Sequence, residues 1–341
     1  MLFRSLSSGQ ELLKITGGGN SEVYVWAVDV TVSPDGRWFT TIGADGAAGI
    51  WYIQTGKQLF DLVGHEGRTW DVAVSPDGTR LATAGDDKTV RVWDSHTGEV
   101  LFILRGHTEK VGDVAFKPDG IQLASASEDK TVRIWNSMTG ALLHTLTDLN
   151  GGLVRIVFNK TGPQLATPDL NGEPVVRIWD TATGQELQEL EGHKYPIYDA
   201  AFSPDGRLIA TGGGDATPIS WDVATGKELF KLAGHYSSVW RLLFSPDGSL
   251  LATSSVATVK IWDPKTGQEL LTLPGHTNLV TSLAFSQDGE HLFSGSDDGT
   301  VQVHTLSIDE LMSLARSRLT RTWKVEECQK YLHQDTCPAQ P

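Results

Sequence analysis

The stretch "DVAVSPDGTRLATAGDDKTVRVWD", residues 71–94, spells out most of one structural unit. Ser75-Pro76-Asp77-Gly78 is a turn, in which proline presets one dihedral and glycine takes a conformation that a Cβ would forbid. On either side, "DVAVS" (71–75), "RLATAG" (80–85) and "TVRVWD" (89–94) alternate apolar and polar residues. That period of two is the signature of half-buried antiparallel strands. A fourth segment of the same kind, "EVLFIL" (99–104), follows the Thr97-Gly98 turn. The unit is a four-stranded meander of about 42 residues, too small to cover its own apolar faces.

The unit recurs along the chain. Its turn glycines are Gly36, Gly78, Gly120, Gly162, Gly206, Gly248 and Gly289, spaced 42, 42, 42, 44, 42 and 41 residues apart. Trp-Asp pairs close the third strands at Trp93-Asp94, Trp179-Asp180, Trp221-Asp222 and Trp262-Asp263, and Gly-His pairs precede units at His65, His107, His193, His235 and His276. With these motifs residues 3–306 resemble the WD-repeat β-propellers. The resemblance implies an all-β, seven-bladed β-propeller around a central channel. The last unit has strands near 280–286, 291–296 and 300–305 but no outer strand of its own, while "GQELL" at 9–13 matches "GQELL" at 267–271. An N-terminal strand at Leu12–Ile15 is therefore expected to close the last blade, with Leu2–Leu6 trailing across the preceding strand.

Units two, three and five also carry a hydroxyl, an imidazole and a carboxylate. The sets are His65, Thr83 and Asp87; His107, Ser125 and Asp129; and His193, Thr211 and Asp215. Such groups make an acyl-transfer triad when the base touches the nucleophile and the acid orients the base. In the family these positions, with Trp93, Trp135 and Trp221 of the next strand, instead form a buried hydrogen-bond chain. Multiplicity favours the structural role, because an enzyme needs one site and no Gly-x-Ser-x-Gly elbow accompanies any set. Unit one keeps Thr41, Asp45 and Trp51 without a histidine. Unit four has "TDLNGG" in place of Gly-His and two extra residues in "PDLNGEP", so its acid is lost or displaced. Unit six, "SSVAT", lacks the acid and is one residue short, and unit seven has His304 where tryptophan belongs.

The formal charge of −14 lies wholly within residues 1–306, which argues against binding a phosphate backbone. No segment offers the roughly 18 uninterrupted apolar residues of a membrane span. The expectation is a cytoplasmic protein that binds neither nucleic acid nor membrane. Cys328 and Cys337 are too few for a disulfide framework or zinc site, and no spacing calls for a metal or cofactor. "GGGN" (17–20) and "GGGD" (212–215) sit in loops without the helix that phosphate binding requires.

Recognition by a surface remains. The positions just after each Gly-His turn border one mouth of the channel and are not dictated by the repeat. They include Trp26, Arg68, Trp70, Lys110, Tyr195, Tyr198, Trp240 and Arg241. Aromatic residues and arginine dominate binding hot spots, so this face is the expected seat of a protein or peptide ligand. Asp86, Glu128 and Asp297 are expected to ring it with negative charge, suiting an apolar anchor with some positive charge.

The tail reads differently. Ser307 and Glu310 have capping-box spacing, and Leu311, Leu314, Ala315 and Leu319 follow at helical intervals. The expected organisation is a propeller over 1–306 with a helical appendage over 307–341. "LARSRLTRTWKVEECQKYLHQDTCP" resembles the segment that ends many bacterial WD-repeat signalling proteins, which implies an upstream effector in a longer chain. The resulting expectation is a non-enzymatic sensor or scaffold module; a free-standing assembly scaffold and, more remotely, a propeller hydrolase are the alternatives.

Overall fold

The computed structural model describes residues 2–4, 11–14, 27–43, 48–147, 149, 151, 155–169 and 173–307. Five consecutive sheets each contain four antiparallel strands in meander order, spanning 27–62, 69–104, 111–146, 157–191 and 197–231. They are blades 1 to 5. A sixth, six-stranded sheet spans 241–305. The fold is an all-β propeller of six blades, with no helix among the described residues.

The turns account for the regularity. In Ser-Pro-Asp-Gly, Ser75 Oγ donates to Asp77 Oδ1 at 2.6 Å, Gly78 N donates to Ser75 O at 2.8 Å, and Gly78 takes a φ of +71°. Ser33, Ser203 and Ser245 repeat the serine bond at 2.6–2.7 Å. Each proline then rests against the turn glycine of the next blade. A Cβ on Gly78 would lie 3.5 Å from Pro34 Cδ, and one on Gly120 would lie 3.7 Å from Pro76 Cδ.

The core lies between blades rather than within them. Ala82, Val90, Val92 and Leu104 of blade 2 pack with Val114, Leu123 and Trp135 of blade 3, all buried. The same arrangement joins blades 1 and 2, 3 and 4, 4 and 5, and 5 and 6. A single meander cannot bury both faces, so its neighbours are its core.

Two expectations from the sequence are corrected. Seven repeats do not become seven blades, because Glu269–Phe285 runs as one 17-residue strand through the Gly275-His276 turn. Its first part pairs with Val256–Trp262 and its second with His291–Ser296. The one-residue deletion in "SSVAT" is the cause. The third strand begins early, at Val256, and that residue pairs with Leu279, carrying the ladder across what is a loop elsewhere. The N-terminal closure is also overturned. Glu11–Lys14 pairs with Leu2–Arg4, and Val301–Thr305 pairs with His291–Ser296 alone among the described strands. A short local hairpin costs less loop-closure entropy than joining the two ends of the chain. The expected helical appendage beyond Ser307, with both cysteines, lies outside the described residues.

Candidate functional site

The inner strands share a defect that decides which side chains are displayed. Strand register jumps between Thr69 and Asp71, Val111 and Asp113, Ile197 and Asp199, and Val280 and Ser282. The extra residue at each β-bulge is Trp70, Gly112, Tyr198 or Thr281. Bulges re-aim side chains at the rims of β structures. Two of these four positions hold aromatics.

The eight candidate partner residues separate into groups. Trp26 lies outside the described residues. Arg68, Trp70 and Lys110 form one corner, where the Arg68 guanidinium carbon is 4.0 Å and Lys110 Nζ 4.3 Å from the Trp70 ring centroid. Trp70 Nε1 donates to Asp86 Oδ1 at 2.6 Å, and Lys110 Nζ pairs with Glu128 at 3.0 Å. The Trp70 indole and the Arg68 amide hold the Asp86 carboxyl below its ordinary range. Of the three residues expected to form an acidic collar, Asp86 and Glu128 are thus matched by neighbours, and Asp297 is exposed. The formal charges of this corner balance, while Arg68 Nε is buried without a hydrogen-bond partner.

The other corner is open. Tyr198 of blade 5 and Trp240 of blade 6 stack with ring centroids 4.5 Å apart and planes at 25°. Trp240 is 37% exposed, Tyr195 is 58% exposed and Tyr236 is fully exposed. Blade 5 has Gly214 where blades 2 and 3 have Asp86 and Glu128; a Cβ there would come within 3.0 Å of Tyr195 Cβ and 3.4 Å of the Tyr198 hydroxyl. The glycine makes room for the aromatics. Arg241 stands apart, half-buried in the channel wall, with Nε donating to Thr281 O at 2.9 Å.

The hydroxyl, imidazole and carboxylate sets are closed chains. His107 Nδ1 meets Asp129 and Nε2 meets Ser125 Oγ, each at 2.9 Å, and Trp135 Nε1 donates to the same Ser125 Oγ at 2.9 Å. His65, Thr83, Asp87 and Trp93 repeat this at 2.8 Å, and His193, Thr211, Asp215 and Trp221 at 2.7–2.8 Å. Thr83, Ser125 and Thr211 are fully buried. A hydroxyl that accepts from an indole, donates to an imidazole and meets no solvent cannot attack a substrate carbonyl. Burial lowers the pKa of His65 and His107 despite the adjacent carboxylates, which suits neutral rings. In blade 4, Asp169 Oδ2 instead accepts from Gly151 N at 2.8 Å. His304 Nε2 reaches Ser294 Oγ at 3.1 Å in place of an indole.

Sequence reasoning passed over a further series. Asp71, Asp113 and Asp199 each accept the backbone N–H of the residue 43 positions on, Val114, Ile156 and Leu242, at 2.5–2.9 Å. Each bond joins one inner strand to the next. The signal was an aspartate four residues before the first turn position, as in "DVAVS" and "DAAFS". Tyr236 was also passed over.

Consecutive meander blades, shared cores and repeated buried chains define a WD-type propeller. The family model "WD domain, G-beta repeat" matches residues 9–52, 56–94, 98–136, 184–222, 226–263 and 267–305, more than half of the chain, and the chain belongs to this family. The unmatched interval covers most of blade 4, where the acid is displaced. Curated relatives match over short segments. Coronin-7 of Mus musculus is 53% identical over 36 residues, which is 11% of this chain and 4% of that protein. An uncharacterized WD repeat-containing protein of Schizosaccharomyces pombe is 46% identical over 41 residues, 12% of this chain and 10% of its own length. WD40 repeat-containing protein HOS15 of Arabidopsis thaliana is 38% identical over 47 residues, 14% of this chain and 8% of its own. The chain therefore spans no more than a tenth of these relatives. Propellers of this family typically bind protein partners and are generally non-catalytic. Among the described residues no helix is long and apolar enough to cross a membrane, and no three ligating side chains cluster to hold a metal.

Proposed function

We propose that the protein is a non-enzymatic recognition module that holds a protein or peptide segment against the aromatic corner between blades 5 and 6. One observation carries this: Tyr195, Tyr198, Tyr236 and Trp240 present aromatic surface to solvent, while the polar groups that could do chemistry are spent inside the blades. Arg68, Trp70 and Lys110 form a neutral second contact. This balance supports a ligand with an apolar or aromatic anchor and removes the need for positive charge on it. Residues 1–306 act as the recognition body and 307–341 as its appendage. A sensor role with an upstream effector in a bacterial signalling protein is supported by the resemblance of the tail; the relatives above are eukaryotic and support only the scaffold form.

The test replaces Tyr198 and Trp240 together by alanine, with Arg207→Ala on the distant turn as control. Trp70 is unsuited because it also serves Asp86. Partner capture from the source cell, quantified by mass spectrometry and followed by titration of the captured partner, should show affinity reduced about a hundredfold or more for the pair, since hot-spot aromatics contribute about 2 kcal/mol each. Unchanged affinity in the pair with loss in the control would place the ligand elsewhere.

A further inference from the structure

The inner strands at 155–160, 199–204, 241–246 and 282–285 line a half-open cavity of about 620 Å³. Small-molecule sites occupy roughly 300–1,000 Å³, with mostly apolar walls and a few convergent polar groups. Phe158, Phe202 and Phe244 contribute such walls here. The charged lining is uneven: Arg155, Lys160 and Arg241 against the single carboxylate of Asp199.

That carboxylate is already committed. Asp199 Oδ1 takes Arg155 Nε at 3.1 Å and Oδ2 takes the Leu242 N–H at 2.9 Å. Burial pushes its pKa up, with Arg155 opposing. Arg241 has no such counterion. Its Nε donates to Thr281 O, which fixes the side chain in the wall, and among the described residues no carboxylate stands within ion-pair distance of Arg241 or of Lys160. Lys88, Lys110, Lys117, Lys231 and Lys260 all have one.

The repeat explains how this arose. Asp29, Asp71, Asp113 and Asp199 hold one position of the repeat in blades 1, 2, 3 and 5, and the equivalent residues before blade 4 and in blade 6 are Arg155 and Arg241. Two sign reversals fall on either side of Asp199, so Arg155, Arg241 and Lys160 line this part of the channel against Asp199, with Asp113 close enough to act on that carboxylate, in a chain of net charge −14. Low-dielectric walls strengthen such a field. A guanidinium offers a planar fork matched to carboxylate or phosphate oxygens.

We infer that this cavity binds a small oxyanion-bearing molecule, with Arg241 as its principal anchor and Lys160 as a second, longer-range attraction. A purely structural Arg241 would stitch the last two units together through Thr281 and bind nothing. Isothermal titration of the full chain at fixed ionic strength, with citrate in one arm and inorganic phosphate in the other, separates the two. Saturable one-site binding is expected in at least one arm, and the stronger arm identifies the ligand as carboxylate or phosphate. Arg241→Gln should weaken it about tenfold or more, and Lys160→Gln, an exposed position, should weaken it by a smaller factor with an unchanged melting temperature. Should Arg241→Gln fail to fold, Arg241→Lys keeps the charge without the fork and should still weaken binding. No saturable heat in either arm, or wild-type affinity in the folded Arg241 variant, would overturn the site.

Discussion

Blades 3 and 6 solve the same local problem with different completeness. In blade 3, His107 bridges Ser125 and Asp129, and Asp129 also accepts the Thr108 N–H and the Thr131 hydroxyl. In blade 6, His235 keeps Thr253 at 2.7 Å and Thr253 keeps Trp262 at 2.8 Å, but His235 Nδ1 is buried without a partner. The acid is lost with the deleted residue: Ala257, left-handed at φ +59°, matches Lys130, which follows the acid in blade 3. Ser255 Oγ still ties the two loops, donating to Ser237 O at 3.0 Å and Ser238 O at 2.9 Å, but no carboxylate bridges His235 to them. Leu279 pairs with Val256 instead, and two repeats merge into one sheet. The imidazole, hydroxyl and indole bonds persist without the acid, and in blade 6 its loss coincides with the merger of two repeats into one sheet.

Acid titration should break this comparison most visibly. Burial, helped by Lys260 and opposed by Glu269, holds the His235 pKa at about 4 against an ordinary 6.5. The unfolded chain therefore takes up the proton first as pH falls. The stability contributed by the neutral ring is complete above pH 6.5 and lost as pH drops toward 4, by about 3 kcal/mol at most. Urea denaturation at pH 7 and 4.5 should show a shallower pH dependence in His235→Gln than in the wild type. Equal slopes would assign the acid sensitivity to other groups.

Alanine substitution at neutral pH gives the next effect. His107→Ala leaves Ser125 and Asp129 short of a partner and should cost about 2 kcal/mol, whereas His235→Ala deprives only Thr253 and should cost about 1 kcal/mol. Chemical denaturation measures both. A larger loss at His235 would mean that the acid contributes little.

The smallest expected effect concerns the turn itself. A non-glycine residue in the left-handed region is strained, and Lys130 and Ala257 both occupy it, at φ +65° and +59°. Glycine at either should stabilise by about 0.5 kcal/mol. A gain at Ala257 alone, read from melting temperatures, would show that the acid-bound turn of blade 3 has its own compensation.

Much of this was legible in the residues because it repeats. Seven turn glycines, the alternating strands and the His107, Ser125, Asp129 and Trp135 spacing point to meander blades with buried polar chains. The fusion in blade 6 was not legible, because a one-residue deletion reads as a shortened turn until the ladder beyond it is known. The Asp71, Asp113 and Asp199 bonds escaped because their partners are backbone N–H groups, which leave no mark on residue type. Trp70 looked like an open aromatic anchor; only the three-dimensional arrangement brings Arg68, Lys110 and Asp86 around it.

Those aspartate bonds also bear on how the protein is made. A nascent chain emerges from its amino end, and Asp71 has no inter-blade acceptor role to fill until Val114, 43 residues later, has been synthesised. Asp113 then awaits Ile156, and Asp199 awaits Leu242. Domains assemble as units during synthesis, and repeat arrays propagate from neighbour to neighbour. Blades 2, 3 and 5 thus each hold a carboxylate oxygen that meets a backbone N–H of the unit made after it, so the growing array carries a direction, from the ribosome's first product toward its last.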